Sequence, residues 1–169
     1  LIYDEHHATR RQDLWVIDVA GDRTPKPFVT TNADESPAVF SPDGRWIAYA
    51  SDETGKREIY VRDFAPDRNP VTGSFKITIS TAGGDKPRWH PNGRELYYIA
   101  PDRKMMAVPI EPGPAFKPGT PVPLFATNVS NYLPYDVSRD GRFLINTIGE
   151  TSGPSSMTIV LNWKSALKQ

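Results

Sequence analysis

An all-β fold assembled from a repeated four-stranded antiparallel unit is what this sequence predicts, and three observations predict it. One phrase recurs: Phe40-Ser41-Pro42-Asp43-Gly44-Arg45, then Trp89-His90-Pro91-Asn92-Gly93-Arg94, then Val137-Ser138-Arg139-Asp140-Gly141-Arg142. Its turn residues Asp43, Asn92 and Asp140 are 49 and 48 residues apart, a period typical of propeller blades. Short runs rich in Ile, Val, Tyr, Phe and Trp are separated by 17 prolines and 12 glycines, the punctuation of many short strands. Helix signals are weak throughout, and only 164–169 reads as a terminal turn. Together these predict a partial β-propeller of about three and a half four-stranded blades.

The elements follow in order. Proline presets φ early in the turn, Asp or Asn bonds its own backbone, and Gly supplies the positive φ that closes a hairpin. An apolar residue precedes each turn and an alternating run follows it, at 46–50, 96–99 and Phe143–Asn146. These are the first hairpins of three blades, strands a and b. Third strands are expected at Glu58–Phe64, 104–110 and 157–163, with an earlier copy at 14–19 preceded by a second strand at 1–4. Fourth strands are expected at 26–31, 75–81 and 122–127. The chain therefore divides into a partial blade b-c-d (1–31), two full blades (32–81 and 82–127) and a partial blade a-b-c (128–169). It opens on Leu1 inside a strand, so it is expected to be cut from a longer protein.

Composition narrows the chemistry. The 20 basic and 20 acidic residues cancel, which argues against nucleic-acid or anionic-membrane binding, since both need a basic excess. No cysteine is present, so disulfides, thiolate catalysis and Cys-type zinc sites are excluded. No apolar run is long enough to span a bilayer, so no membrane insertion by this segment is expected. The three histidines, His6, His7 and His90, do not read as catalytic. His6 and His7 are adjacent in a loop after Asp4-Glu5, and neighbours on an extended chain point apart. His90 takes the turn position of Ser41 and Ser138. Gly-x-Ser-x-Gly and His-Glu-x-x-His motifs are absent, and the pairs Asp34-Glu35 and Asp52-Glu53 read as solvated loop residues rather than a glycosidase dyad. The Asp-Gly turns lack the distal ligands of a calcium loop. No catalytic residue, metal or cofactor is expected. Trp46, Trp89 and Trp163 read as packing residues between blades.

The Ser-Pro-Asp-Gly-Arg phrase followed by Trp46-Ile47-Ala48-Tyr49 resembles the repeat of TolB-like and WD-repeat-like β-propellers, and also that of prolyl oligopeptidase propellers. Glu58-Ile59-Tyr60-Val61-Arg62, Lys86-Pro87-Arg88-Trp89, Tyr135-Asp136-Val137-Ser138 and Val160-Leu161-Asn162-Trp163 look most similar to the C-terminal propeller region of bacterial transmembrane Ser/Thr kinases. The resemblance implies a bacterial, extracytoplasmic or periplasmic setting, and a ring of six to eight blades in the parent family. Arg139 departs from the pattern by replacing the turn proline. An incomplete ring leaves apolar faces open, so self-association, as in a homodimer, or missing blades completing the ring are expected.

Loops joining d to a, and b to c, gather on one face of a propeller: 31–35, 82–86 and 128–134, with 51–57, 101–104 and 150–156. They vary and carry charge, as recognition loops on a rigid scaffold do. The expected function is a non-catalytic binding or sensor module for a protein, peptide or small ligand. The alternative is the gating propeller of a serine peptidase whose catalytic domain is absent. The expected ligand contacts are Glu35, Asp52, Arg57, Asp85, Arg88, Asp102, Arg103, Tyr135 and Asp136. Arg88 and Asp136 occupy equivalent repeat positions, and an interblade ion pair is the competing account of both.

Overall fold

A computed structural model describes residues 1–6, 11–67, 72–129, 135–147 and 157–160. The described residues form strands in four sheets and no helix. The first sheet joins β1 (Ile2–His6), β2 (Gln12–Val16) and β3 (Lys26–Val29). The second joins β4 (Glu35–Phe40), β5 (Trp46–Ser51), β6 (Glu58–Phe64) and β7 (Thr72–Thr78). The third joins β8 (Asp85–Trp89), β9 (Glu95–Ile99), β10 (Lys104–Pro109) and β11 (Val122–Ala126), and the last joins β12 (Tyr135–Val137), β13 (Phe143–Asn146) and β14 (Met157–Val160). Consecutive strands are neighbours in every sheet, the meander that short hairpin connections impose. The fold is all-β, a partial β-propeller. Of the expected third strand at 157–163, the part beyond Val160 lies outside the described residues, as do Trp163, His7 and the turn at 164–169.

The chain divides into two compact units, 1–87 and 88–169. In the first, Leu14, Val16, Phe28 and Val29 of one sheet pack with Ile47, Tyr49 and Tyr60 of the next. Phe28 meets Tyr49 edge-on at 6.4 Å, and Tyr49 stacks on Tyr60 at 5.7 Å, both ordinary aromatic geometries. Burial pushes the Tyr49 phenol up to about 12, opposed by Arg62, whose Nε donates to the hydroxyl at 3.2 Å. In the second unit, Tyr97, Ile99, Met105 and Ala107 pack with Tyr135, Val137, Phe143 and Ile145. Each large apolar side chain so buried contributes about 1.5–3 kcal/mol.

The recurrent phrase forms the same turn three times. The Gly amide donates to the carbonyl three residues back, in Gly44 to Ser41 (2.9 Å), Gly93 to His90 (2.8 Å) and Gly141 to Ser138 (3.0 Å). All three glycines have positive φ, between 72° and 78°. Ser41 Oγ and Ser138 Oγ donate to Asp43 and Asp140 at 2.6 and 2.5 Å. In the middle copy the pair is exchanged for His90 and Asn92, with His90 Nδ1 accepting from the Asn92 amide at 3.1 Å. His90 is thus a buried turn residue.

The hairpins close differently. Ser41 N donates to Trp46 O and His90 N to Glu95 O, whereas Ser138 N donates to Arg142 O, one residue earlier. Phe40 therefore faces Ile47 across the first hairpin, but Val137 faces Phe143 across the third. A one-residue slip sends side chains to the opposite face of a strand. Phe143 and Ile145 enter the core, and Leu144 is 43% exposed although Ile47 and Leu96, its counterparts after the turn, are fully buried. The slipped register buries Phe and Ile in place of Leu and Asn, the more apolar choice.

Candidate functional site

The loops of the first unit converge through Asp34. Its amide donates to Asp52 Oδ1 at 2.8 Å, and its Oδ1 accepts from the Gln12 amide at 3.2 Å. Arg57 Nη1 reaches the Asp34 carbonyl at 3.4 Å and its carboxylate at 3.7 Å, while Arg57 Nε donates to Asp85 Oδ1 at 3.0 Å. The Arg57 carbonyl accepts from the Gly84 amide at 2.9 Å. Asp34 thus ties the start of β2 and the β5–β6 loop to the start of β4. These side chains are about a third exposed, so each ion pair contributes no more than about 1 kcal/mol. Their effect is to fix loop positions.

Beside this hub lies an open groove of about 520 Å³ lined by Arg11, Thr31, Asn32, Ala33, Asp52, Glu53 and Gly55. Arg11 Nη1 bonds Asp52 Oδ2, and Lys76 Nζ bonds Glu53 Oε1. The Asp34 amide holds the Asp52 carboxyl below the ordinary carboxylate range against partial desolvation, and Arg11 and Arg57 add to the drop. Glu35, expected as a solvated loop residue, is instead fully buried. It opens β4 opposite Ser51, and register places it inside the sheet. Thr31 Oγ1 donates to its Oε1, and its Oε2 is a buried acceptor with no bond. Burial lifts this carboxyl to about 7; Asp13 and Glu53 add to the rise, and the Thr31 bond opposes it.

The expected contacts fall into separate groups. Asp52 lines the groove, Glu35 lies behind its Thr31 wall, and Arg57 and Asp85 belong to the hub. Lys86, beside Asp85, has a φ of 58°, an uncommon region for a residue with a Cβ. In the second unit, Asp102 and Arg103 form the β9–β10 turn. Lys104 holds the Asp102 carboxyl below its usual range through a side-chain bond, at 2.7 Å. Arg103, with φ of 62°, donates through Nη1 to Asn128 Oδ1 at 2.6 Å, and its carbonyl accepts from the Thr127 amide at 2.8 Å. Tyr60 faces Tyr49 and Met106 faces Tyr98, so Arg57 and Arg103 are repeat equivalents that clamp neighbouring loops. Tyr135 is 5% exposed and packed near Phe143; its alternation along β12 directs it into the core, away from a surface ligand. Asp136 is exposed, and its Oδ1 accepts from the Val137 amide at 2.8 Å. Arg88 is half-buried in β8. Loop residues 130–134 and 150–156 lie outside the described residues.

Asp34, Arg11 and Thr31 were not among the expected contacts. The d-to-a loop position of Asp34 and Thr31 was a usable signal; nothing in the sequence marked Arg11. Among the described residues, no three His, Asp or Glu side chains are grouped to hold a metal.

No family model matches the chain. It is 33% identical over 69 residues to the Tol-Pal system protein TolB of Albidiferax ferrireducens, covering 41% of this chain and 16% of that one. The solved periplasmic gluconolactonase PpgL of Pseudomonas aeruginosa superposes with a TM-score of 0.53 at 14% identity, over 95% of this chain and 52% of that one. TolB of Acinetobacter baumannii superposes with a TM-score of 0.47 at 17% identity, over 89% and 46%. The chain has a β-propeller fold, with local sequence similarity to TolB. It spans about half the length of these solved structures and about a sixth of the curated relative.

Proposed function

We propose that the chain is a non-catalytic binding or sensor module that engages a protein or peptide segment through the loops of its first unit. The observation that carries this reading is the groove of about 520 Å³, whose walls are held by the Asp34–Asp52–Arg57 hub. Loops fixed by their own bonds lose less conformational freedom on binding, which favours recognition. Similarity to a Tol-Pal system protein supports a protein partner. The fold alone does not choose between binding and catalysis, since a gluconolactonase shares it.

An extracytoplasmic setting belongs to the same proposal, in keeping with the periplasmic relative by fold. Attachment to a kinase rests on the sequence phrases alone. Self-association is also proposed, through the face of the last sheet that exposes Leu144. Partner binding by Asp52→Ala and Arg45→Ala variants, measured by biolayer interferometry against crosslink-identified partners, tests the reading. Loss with Asp52→Ala and retention with Arg45→Ala, which alters an a–b turn, is expected. Equal loss with both variants contradicts recognition through these loops.

A further inference from the structure

Among the described residues, carboxyl groups outnumber cations around the groove. Asp52 and Glu53 line it, Asp34 supports it, and Glu35 and Asp13 lie buried beside it. The nearby cations, Arg11, Arg57 and Lys76, are each already engaged with a carboxylate. The arrangement leaves one acceptor unmet. Glu35 is fully buried, and its Oε2 has no hydrogen-bond partner, an arrangement that is unfavourable unless something satisfies it.

Glu35 is enclosed by the same two segments that form the groove walls. Its Oε1 is bonded by Thr31, a wall residue, and it pairs across the sheet with Ser51, which precedes the wall residues Asp52 and Glu53. The charged and titratable groups facing it are Asp13 from β2, Tyr49 from β5 and Glu53 from the β5–β6 loop. None is a cation. Arg11 shows that a guanidinium fits against Asp52 at the groove mouth, and its side chain is 56% exposed. It is a resident cation that an incoming one can displace.

We infer that the groove binds a segment bearing a protonated amine, which takes the place of Arg11 on Asp52 and is balanced from within by Glu35. This names the ligand class of the site proposed above and rests on that reading. Burial keeps the Glu35 carboxyl partly protonated near neutral pH, and a cation in the groove favours its ionised form. Binding then transfers the Glu35 proton to buffer. Affinity rises as pH increases through about 7.

The test is calorimetric titration of the whole chain with an octapeptide of alternating lysine and glycine, its acetyl-lysine counterpart and its glutamate counterpart. The lysine peptide is expected to bind about tenfold or more tightly than the acetylated one. Its apparent enthalpy at pH 7 should vary with the ionisation enthalpy of the buffer, showing proton release. Glu35→Gln, which preserves shape, should abolish the release and weaken binding, while Arg11→Ala should strengthen it by freeing Asp52. Equal affinity for the lysine and acetyl-lysine peptides overturns the inference, as does binding without proton release or no binding by any peptide. Preference for the glutamate peptide, lost in Arg11→Ala, also overturns it but leaves recognition through these loops standing.

Discussion

A carboxyl group enclosed at the start of β4 couples protonation to folding. The Glu35 carboxyl lies at about 7 in the folded chain, against 4.5 when exposed. Its protonated form is favoured by the fold, so its stabilising contribution is complete below about 4.5 and is lost as pH rises to about 7. That loss is about 3 kcal/mol. Thermal melts from pH 4.5 to 8 should show a decline that Glu35→Gln largely removes; an unchanged slope in the variant would place the titration elsewhere. At the turns, Gly44 has φ of 72° with open space where a Cβ would sit. Gly44→Ala should therefore cost only the backbone strain, about 1–2 kcal/mol by denaturant unfolding. Glu58 is a second buried carboxylate, bonded by Ser80 Oγ and at 3.0 Å by the Gly83 amide. Glu58→Ala leaves that amide unmet and should cost about 1–3 kcal/mol, read as a lower urea midpoint.

Strand register decides which of two adjacent residues in β13 carries the core. Phe143→Ala should cost about 3–5 kcal/mol and Leu144→Ala under about 1, measured by urea unfolding. The reverse order would mean that the third hairpin pairs as the first does. This slip shows where sequence reading stops. The phrases at Asp43, Asn92 and Asp140 announced three turns, because Gly with positive φ and an Asx acceptor are local requirements that local sequence states directly. Register across the hairpin depends on which face meets a neighbouring sheet, and that is a tertiary choice. Arg139 marked the third copy as different without saying how. The site was legible in the same partial way. Loop positions followed from the repeat: Asp52 and Arg57 lie in the β5–β6 loop, whereas Asp85 opens β8. Glu35 and Tyr135 were expected at the surface and lie inside, since alternation along β4 and β12 depends on where each strand begins. Asp34 was missed because its role comes from backbone bonds to Gln12 and Asp52, which no residue-type pattern encodes.

At the scale of the molecule, the repeat explains both the fold and its open face. Ile47 and Leu96 are fully buried, and Leu144 in the same repeat position is 43% exposed. Exposed apolar faces of packed sheets favour association. Sedimentation velocity should therefore show a concentration-dependent oligomer that Leu144→Lys diminishes; a monomer in both proteins at every concentration would contradict that part of the proposal. The fold rests on antiparallel meanders that recur along the chain. Cross-strand backbone NOEs in labelled protein test this most directly. They should place Tyr49 opposite Tyr60, Ile99 opposite Met105 and Val137 opposite Phe143. Sequential amide contacts of helical type through 46–64 or 95–109, or cross-strand contacts in any other pairing, would contradict it.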